Sequence, residues 1–125
     1  MSSRDVVLHH YWESPYAEKV RRMRGFKGIP WRAVQIPMLM PKPDLLALTG
    51  GYRKTPVLQI GCDVYCDTAL IARVLDELEP GRPVYRVEDG AAALAAGRWF
   101  DQQLFFAVIA RMFSPAVAKE AGRQI

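Results

Sequence analysis

Residues 50–68 read GGYRKTPVLQIGCDVYCDT, and this stretch decides the fold. Pro56 stands directly before an apolar run, VLQI, that has the length and composition of a buried strand. A proline there cannot donate a ladder hydrogen bond, which marks a special turn, and we read Thr55–Pro56 as a cis peptide. Such a bend leaves the Thr55 backbone N–H and C=O open to a peptide-like ligand lying antiparallel to the segment. Gly61-Cys62 then reads as a tight hairpin joining residues 56–60 to residues 63–66. Asp67-Thr68 opens a helix, whose free N–H groups and positive dipole end favour a carboxylate, while the Asp67 side chain suits an ammonium group. Together these groups would hold an α-amino-acid end.

Working outward, Leu70, Ile71, Val74, Leu75 and Leu78 repeat with helical period until Glu79-Pro80-Gly81 stops the helix. Upstream, DVVLHHY at 5–11 is short, β-branched and apolar, as a buried strand would be. Ser14 followed by Pro15 is an N-cap and a first helical residue. Tyr16, Val20 and Met23 then form one stripe, and Gly25 and Gly28 weaken and end the helix. WRAVQI at 31–36 alternates like a second strand, so the chain opens with a parallel strand pair and a right-handed crossover. A proline-punctuated loop, PMLMPKP, leads to a short helix DLLAL closed by Thr49-Gly50-Gly51.

The order is β-α-β-α-β-β-α, an α/β domain with a four-stranded mixed sheet, expected over residues 1–80. Residues 81–90 read as a linker. Residues 91–113 can form a single helix of about six turns, and its apolar side chains lie on more than one face, so it needs partners on at least two faces, from further helices or a second subunit. We expect this to be the start of an all-helical domain, residues 91–125, that a longer chain would complete.

Composition narrows the class of protein. The 125 residues are 50% hydrophobic and 24% charged, as in an ordinary globular domain. No apolar run approaches the roughly 18 residues of a membrane span, and MSSRDVVLHHYW lacks the layout of a secretory signal, so no membrane partner and a cytoplasmic location are expected. Cys62 and Cys66 stand as C-x3-C, which indicates neither a redox motif nor a zinc site, and we expect reduced thiols and no metal. Residues 1–60 hold ten Lys/Arg against four Asp/Glu, whereas 61–125 hold seven against nine. Much of the excess is the run EKVRRMRGFKG. No aromatic stacking series or reader motif accompanies it, so we take its five cations as the solvated face of a helix and expect no nucleic acid. His9 and His10 point to opposite sides of their strand, in core or surface roles.

The stretch from Gly50 to Pro80 resembles the glutathione S-transferase family in its K/Q-V/T-P-x-L strand, its hairpin and its E/D/Q-S-x-x-I helix. With SPYAEKVRRM the resemblance covers about residues 5–80, the thioredoxin-like N-terminal domain, and 91–113 look like the first helix of the family's helical domain. The resemblance implies glutathione as co-substrate and a small electrophile as the second substrate. Thr55 would pair through its backbone with the cysteinyl part, Pro56 being the cis proline; Lys54 would attract the glycine carboxylate, and Asp67 and Thr68 the γ-glutamyl end. Thr68 departs from the family's serine and keeps the hydroxyl. Ser14 matches the serine that donates to the glutathione sulfur, with Tyr11 as the alternative, and Ser14 also reads as a plain helix cap. The resemblance also implies a two-fold homodimer joining 91–113 to the helix at 68–78 of the partner. A non-catalytic glutathione-sensing or interaction module on the same fold is the alternative function.

Overall fold

The computed structural model describes residues 5–116 and Lys119. Its first compact unit runs to Val84 and its second begins at Tyr85. In the first, β1 (Val6–His10), α1 (Pro15–Lys27), β2 (Arg32–Gln35), α2 (Pro43–Thr49), β3 (Val57–Ile60), β4 (Asp63–Cys66) and α3 (Thr68–Leu78) follow in the order read from the sequence. The sheet order is β2-β1-β3-β4, with β1 parallel to β2 and the β1–β3 and β3–β4 pairs antiparallel.

Alternation along β1 sends Val6, Leu8 and His10 to one face, where all three are buried. Opposite partners share a face, so Leu58 joins Leu8 there, while His9 and Val57 lie on the other. The first face is covered by α1 and α3, which pack on one another and bury Ala17, Val20, Ile71, Ala72 and Leu75. The second holds Ile36, Leu45 of α2 and Val57, with Tyr11, Tyr52, Val64 and Cys66 packed around them. On this face His9 Nε2 donates to Gln59 Oε1 at 2.9 Å.

Local chemistry explains the boundaries. Ser14 Oγ accepts the Ala17 amide at 3.1 Å and Pro15 begins α1, while Gly28 ends it with φ +69°, a conformation that suits glycine. Helix α1 passes through Gly25 without breaking, because the pairing of its buried face outweighs one weak helix former. The β3–β4 loop uses Gly61 at φ +63°. Strand β2 departs from the alternating expectation: all four of its residues are exposed, as on a sheet edge.

Two further expectations are corrected. Arg22 of α1 is solvated, but the Arg21 side chain is only 11% exposed and that of Lys27 is 0% exposed, and the Lys27 Nζ donates to Asp76 Oδ1 and to the backbone oxygens of Glu79 and Arg82, all at 2.7 Å. The cation therefore ties the end of α1 to the end of α3. In the second unit the helical run is not uniform. Helix α4 (Gly90–Trp99) passes through a π-helical turn at Phe100–Leu104 into α5 (Phe105–Met112), so the side-chain stripes shift along the run. Among the described residues no helix is long and apolar enough to cross a membrane.

Candidate functional site

The register gathers the sequence-selected residues at one end of the sheet. His9 pairs with Val57 and Val57 with Cys66. The chain leaving β1 toward Tyr11 and Ser14, the chain entering β3 from Thr55 and Pro56, and the chain leaving β4 into Asp67 and Thr68 are therefore neighbours. The N-termini of α1 and α3 open at this same end, and Lys19 Nζ of α1 donates to Thr68 Oγ1 at 3.3 Å.

The Thr55–Pro56 peptide is cis, as expected; a second cis peptide, Met40–Pro41, has no counterpart in the sequence reading. Pro56 is fully buried, and Thr55 Oγ1 is buried without a hydrogen-bond partner among the described residues. Buried hydroxyls seldom stay unpaired, so this atom marks a place where a polar group is wanted. Lys54 is exposed.

Asp67 takes φ +75° and ψ +128°, and it alone among the described non-glycine residues has a positive φ. It makes no side-chain cap bond to α3, so its exposed carboxylate is not used as a helix cap. A strained backbone that leaves a carboxylate facing solvent is the kind of feature found at binding sites. Thr68, by contrast, is buried.

Ser14 is 2% exposed, and its oxygen accepts the Ala17 amide. A hydroxyl has a proton and a second lone pair to spare, so capping and donation to a ligand are compatible. Tyr11 lies beyond the end of β1, packed against the cluster around Val57.

Sequence reading missed two neighbours of this site. Lys42 is buried, its Nζ donates to the Arg53 backbone oxygen at 3.2 Å, and it sits 5.5 Å from the Tyr11 ring centroid. Burial and the nearby Arg53 charge pull its pKa down, and no carboxylate among the described residues pairs with it. The signal was its place at the N-terminus of α2, where a cation opposes the helix dipole. Tyr52 is the other: burial, then the charges of Cys66 and Asp67, push its hydroxyl up, against a backbone hydrogen bond at Asp67. Burial also pushes up the Cys66 thiol. Cys62 and Cys66 are free thiols, and no three potential metal ligands gather among the described residues.

The sequence pattern of the glutathione S-transferase N-terminal domain matches residues 8–83, and the chain belongs to the glutathione S-transferase family. Glutathione S-transferase U4 of Arabidopsis thaliana is 26% identical over 102 residues, 80% of this chain and 46% of that protein. A GST-like protein from Pseudomonas syringae superposes with a TM-score of 0.84 at 50% identity, over 93% of this chain and 43% of that one. Rice GST1, solved in complex with glutathione, gives a TM-score of 0.66 at 25% identity, over 80% of this chain and 46% of that one. The chain spans about half the length of the curated relatives it matches. The fold is the thioredoxin-like domain of this family followed by a helical segment.

Proposed function

We propose that the protein is a glutathione transferase that binds glutathione at this end of the sheet and activates its thiol for attack on a small electrophile. The observation that carries this is the convergence, by strand register, of the cis Thr55–Pro56 turn, the Asp67-Thr68 helix start and the Ser14 helix start. Family membership supports it. In this assignment the Thr55 backbone pairs with the cysteinyl part of glutathione, and Asp67 and Thr68 hold its γ-glutamyl end. Lys54 draws in the glycine carboxylate, joined by Lys42, whose buried charge gains from an anion. Ser14, with Tyr11 as alternative, donates a hydrogen bond to the sulfur. That bond and the start of α1 favour the thiolate, which is the nucleophile. We assign the protein to the cytoplasm, as a homodimer.

The second reading is a glutathione-binding module without turnover. The near-complete burial of Ser14 favours it, because a sulfur must reach that hydroxyl. Conjugation of glutathione to a generic aromatic electrophile separates the two on wild type, Ser14→Ala and Tyr11→Phe. A transferase loses most of its turnover in one of the two variants with glutathione affinity little changed. Binding without turnover in the wild type would leave the module.

A further inference from the structure

Arg21 ties together the groups at the junction of β1 and α1. Its Nη1 donates to His10 Nδ1 at 2.9 Å and its Nη2 to the Trp12 backbone oxygen at 3.1 Å. Nε and Nη2 hold Glu18 Oε2 at 2.9 and 2.6 Å. The guanidinium lies 5.1 Å from the Trp12 ring centroid, and the side chain is 11% exposed. Two residues after Trp12, the Ser14 amide donates to the Tyr11 backbone oxygen at 3.3 Å. A single guanidinium thus holds the turn that carries both candidate hydroxyls, Tyr11 and Ser14.

The contact with His10 depends on protonation. A guanidinium only donates, so Nδ1 must accept, and the ring must be neutral with its proton on Nε2. A protonated ring would instead turn an N–H and a positive charge toward Arg21. Burial and the adjacent guanidinium both oppose that charge. His10 is 0% exposed, the Trp12 and Trp31 rings flank it edge-on at 4.8 and 5.3 Å, and Nε2 is buried without a partner among the described residues. From α1 the charged groups on this side are Arg21 itself, Glu18, which is engaged by Arg21 and Arg22, and Arg24, which lies over Trp31. From the segment just before β2 the packing group is Trp31, and His9 of β1 faces the opposite side of the sheet.

We propose that Arg21 is a positioning residue for the turn between Tyr11 and Ser14, and that protonation of His10 releases it, making the turn acid-sensitive. For the thiol chemistry this inference rests on the function proposed above, but the state of the turn can be read without ligand. Burial, then the Arg21 charge, holds the His10 pKa below its ordinary 6.5, so release falls on the acid side of that value. The Glu18 carboxyl is held low by its hydrogen bond from Arg21.

The test uses ligand-free, full-length protein. Hydrogen-exchange protection of the Ser14 and Ala17 amides, corrected for intrinsic rates, is followed from about pH 8 to about pH 5, with the Leu58 and Leu75 amides as fold controls. The wild type is expected to lose about tenfold protection at the junction, with the controls steady. In His10→Asn the amide oxygen replaces Nδ1 as an acceptor that does not titrate, and the profile is expected to be flat. Arg21→Gln is expected to be poorly protected at every pH. A pH-dependent fall that survives in His10→Asn, or full protection in Arg21→Gln, would overturn the inference. Should His10→Asn lose the protection of Leu58 and Leu75, the His10 ring titration followed by NMR in the wild type decides: a midpoint shared with the junction amides supports the switch, and separate midpoints refute it. Failure of glutathione to bind a wild type that shows the junction transition would remove the proposed function alone. A flat junction in a protein that binds glutathione would remove the switch alone.

Discussion

Ser14 carries two roles that substitution can separate. Ser14→Ala removes the acceptor for the Ala17 amide and is expected to cost about 1 kcal/mol in urea unfolding. Ser14→Asp retains a capping oxygen but, ionised, donates nothing; it is expected to keep most of the stability and to lose the glutathione thiolate absorbance that the wild type shows. Equal thiolate in Ser14→Asp and wild type would remove Ser14 as the donor and leave Tyr11. At Asp67 the backbone sits at a φ that costs a non-glycine residue about 1–3 kcal/mol. Asp67→Gly is therefore expected to raise the unfolding midpoint while weakening glutathione binding, and a variant with lower stability would contradict the strain. His10 sets a pH dependence whose sign follows from its lowered pKa. The unfolded chain binds the proton near 6.5 and the folded one only at lower pH, so stability is expected to fall as pH drops from about 6.5 through the folded value. Denaturant midpoints at several pH values check this, and His10→Asn is expected to lessen the slope. Sequence alone singled out Ser14, Thr55, Pro56, Asp67 and Thr68 as candidates because each sits at a punctuation point, a proline or a helix start, where local chemistry is informative. It missed Lys42, His10 and Arg21 as partners, because their roles come from contacts across the fold that no spacing encodes.

Helices α1 and α3 were legible as elements, since their buried residues recur with helical period. What joins them was not. Lys27 looked like one more surface cation, yet its buried Nζ closes on Asp76 and two carbonyls, and Asp76 Oδ1 also accepts the Val84 amide at 2.8 Å. Removing one partner of a buried pair strands the other charge, so Lys27→Met is expected to destabilise by about 3–5 kcal/mol. Replacing both, as Lys27→Met with Asp76→Leu, is expected to recover part of that loss. A cost below about 1 kcal/mol for Lys27→Met would show that the clamp adds little. Strand β2 and the run from α4 to α5 were read correctly in kind but not in detail: edge exposure and a π turn both depend on what lies beside the chain.

At the scale of the whole molecule, the second unit leaves Trp99, Phe106 and Phe113 at 53%, 60% and 77% exposure, an apolar surface that soluble monomers rarely carry. On α3, Leu70 and Leu78 are exposed as well. The proposed homodimer would cover both sets, and sedimentation equilibrium of full-length protein at micromolar concentration is expected to return twice the chain mass. A monomer mass would refute it and point to coverage within one longer chain. The central claim, however, is that the sheet end joining Thr55, Asp67 and Ser14 takes glutathione. Calorimetric titration of full-length protein with glutathione tests it most directly. Saturable one-to-one binding at or below millimolar ligand is expected, about tenfold weaker in Asp67→Ala, the loss of one charge-assisted contact. No heat of binding at millimolar glutathione to a folded protein would contradict it.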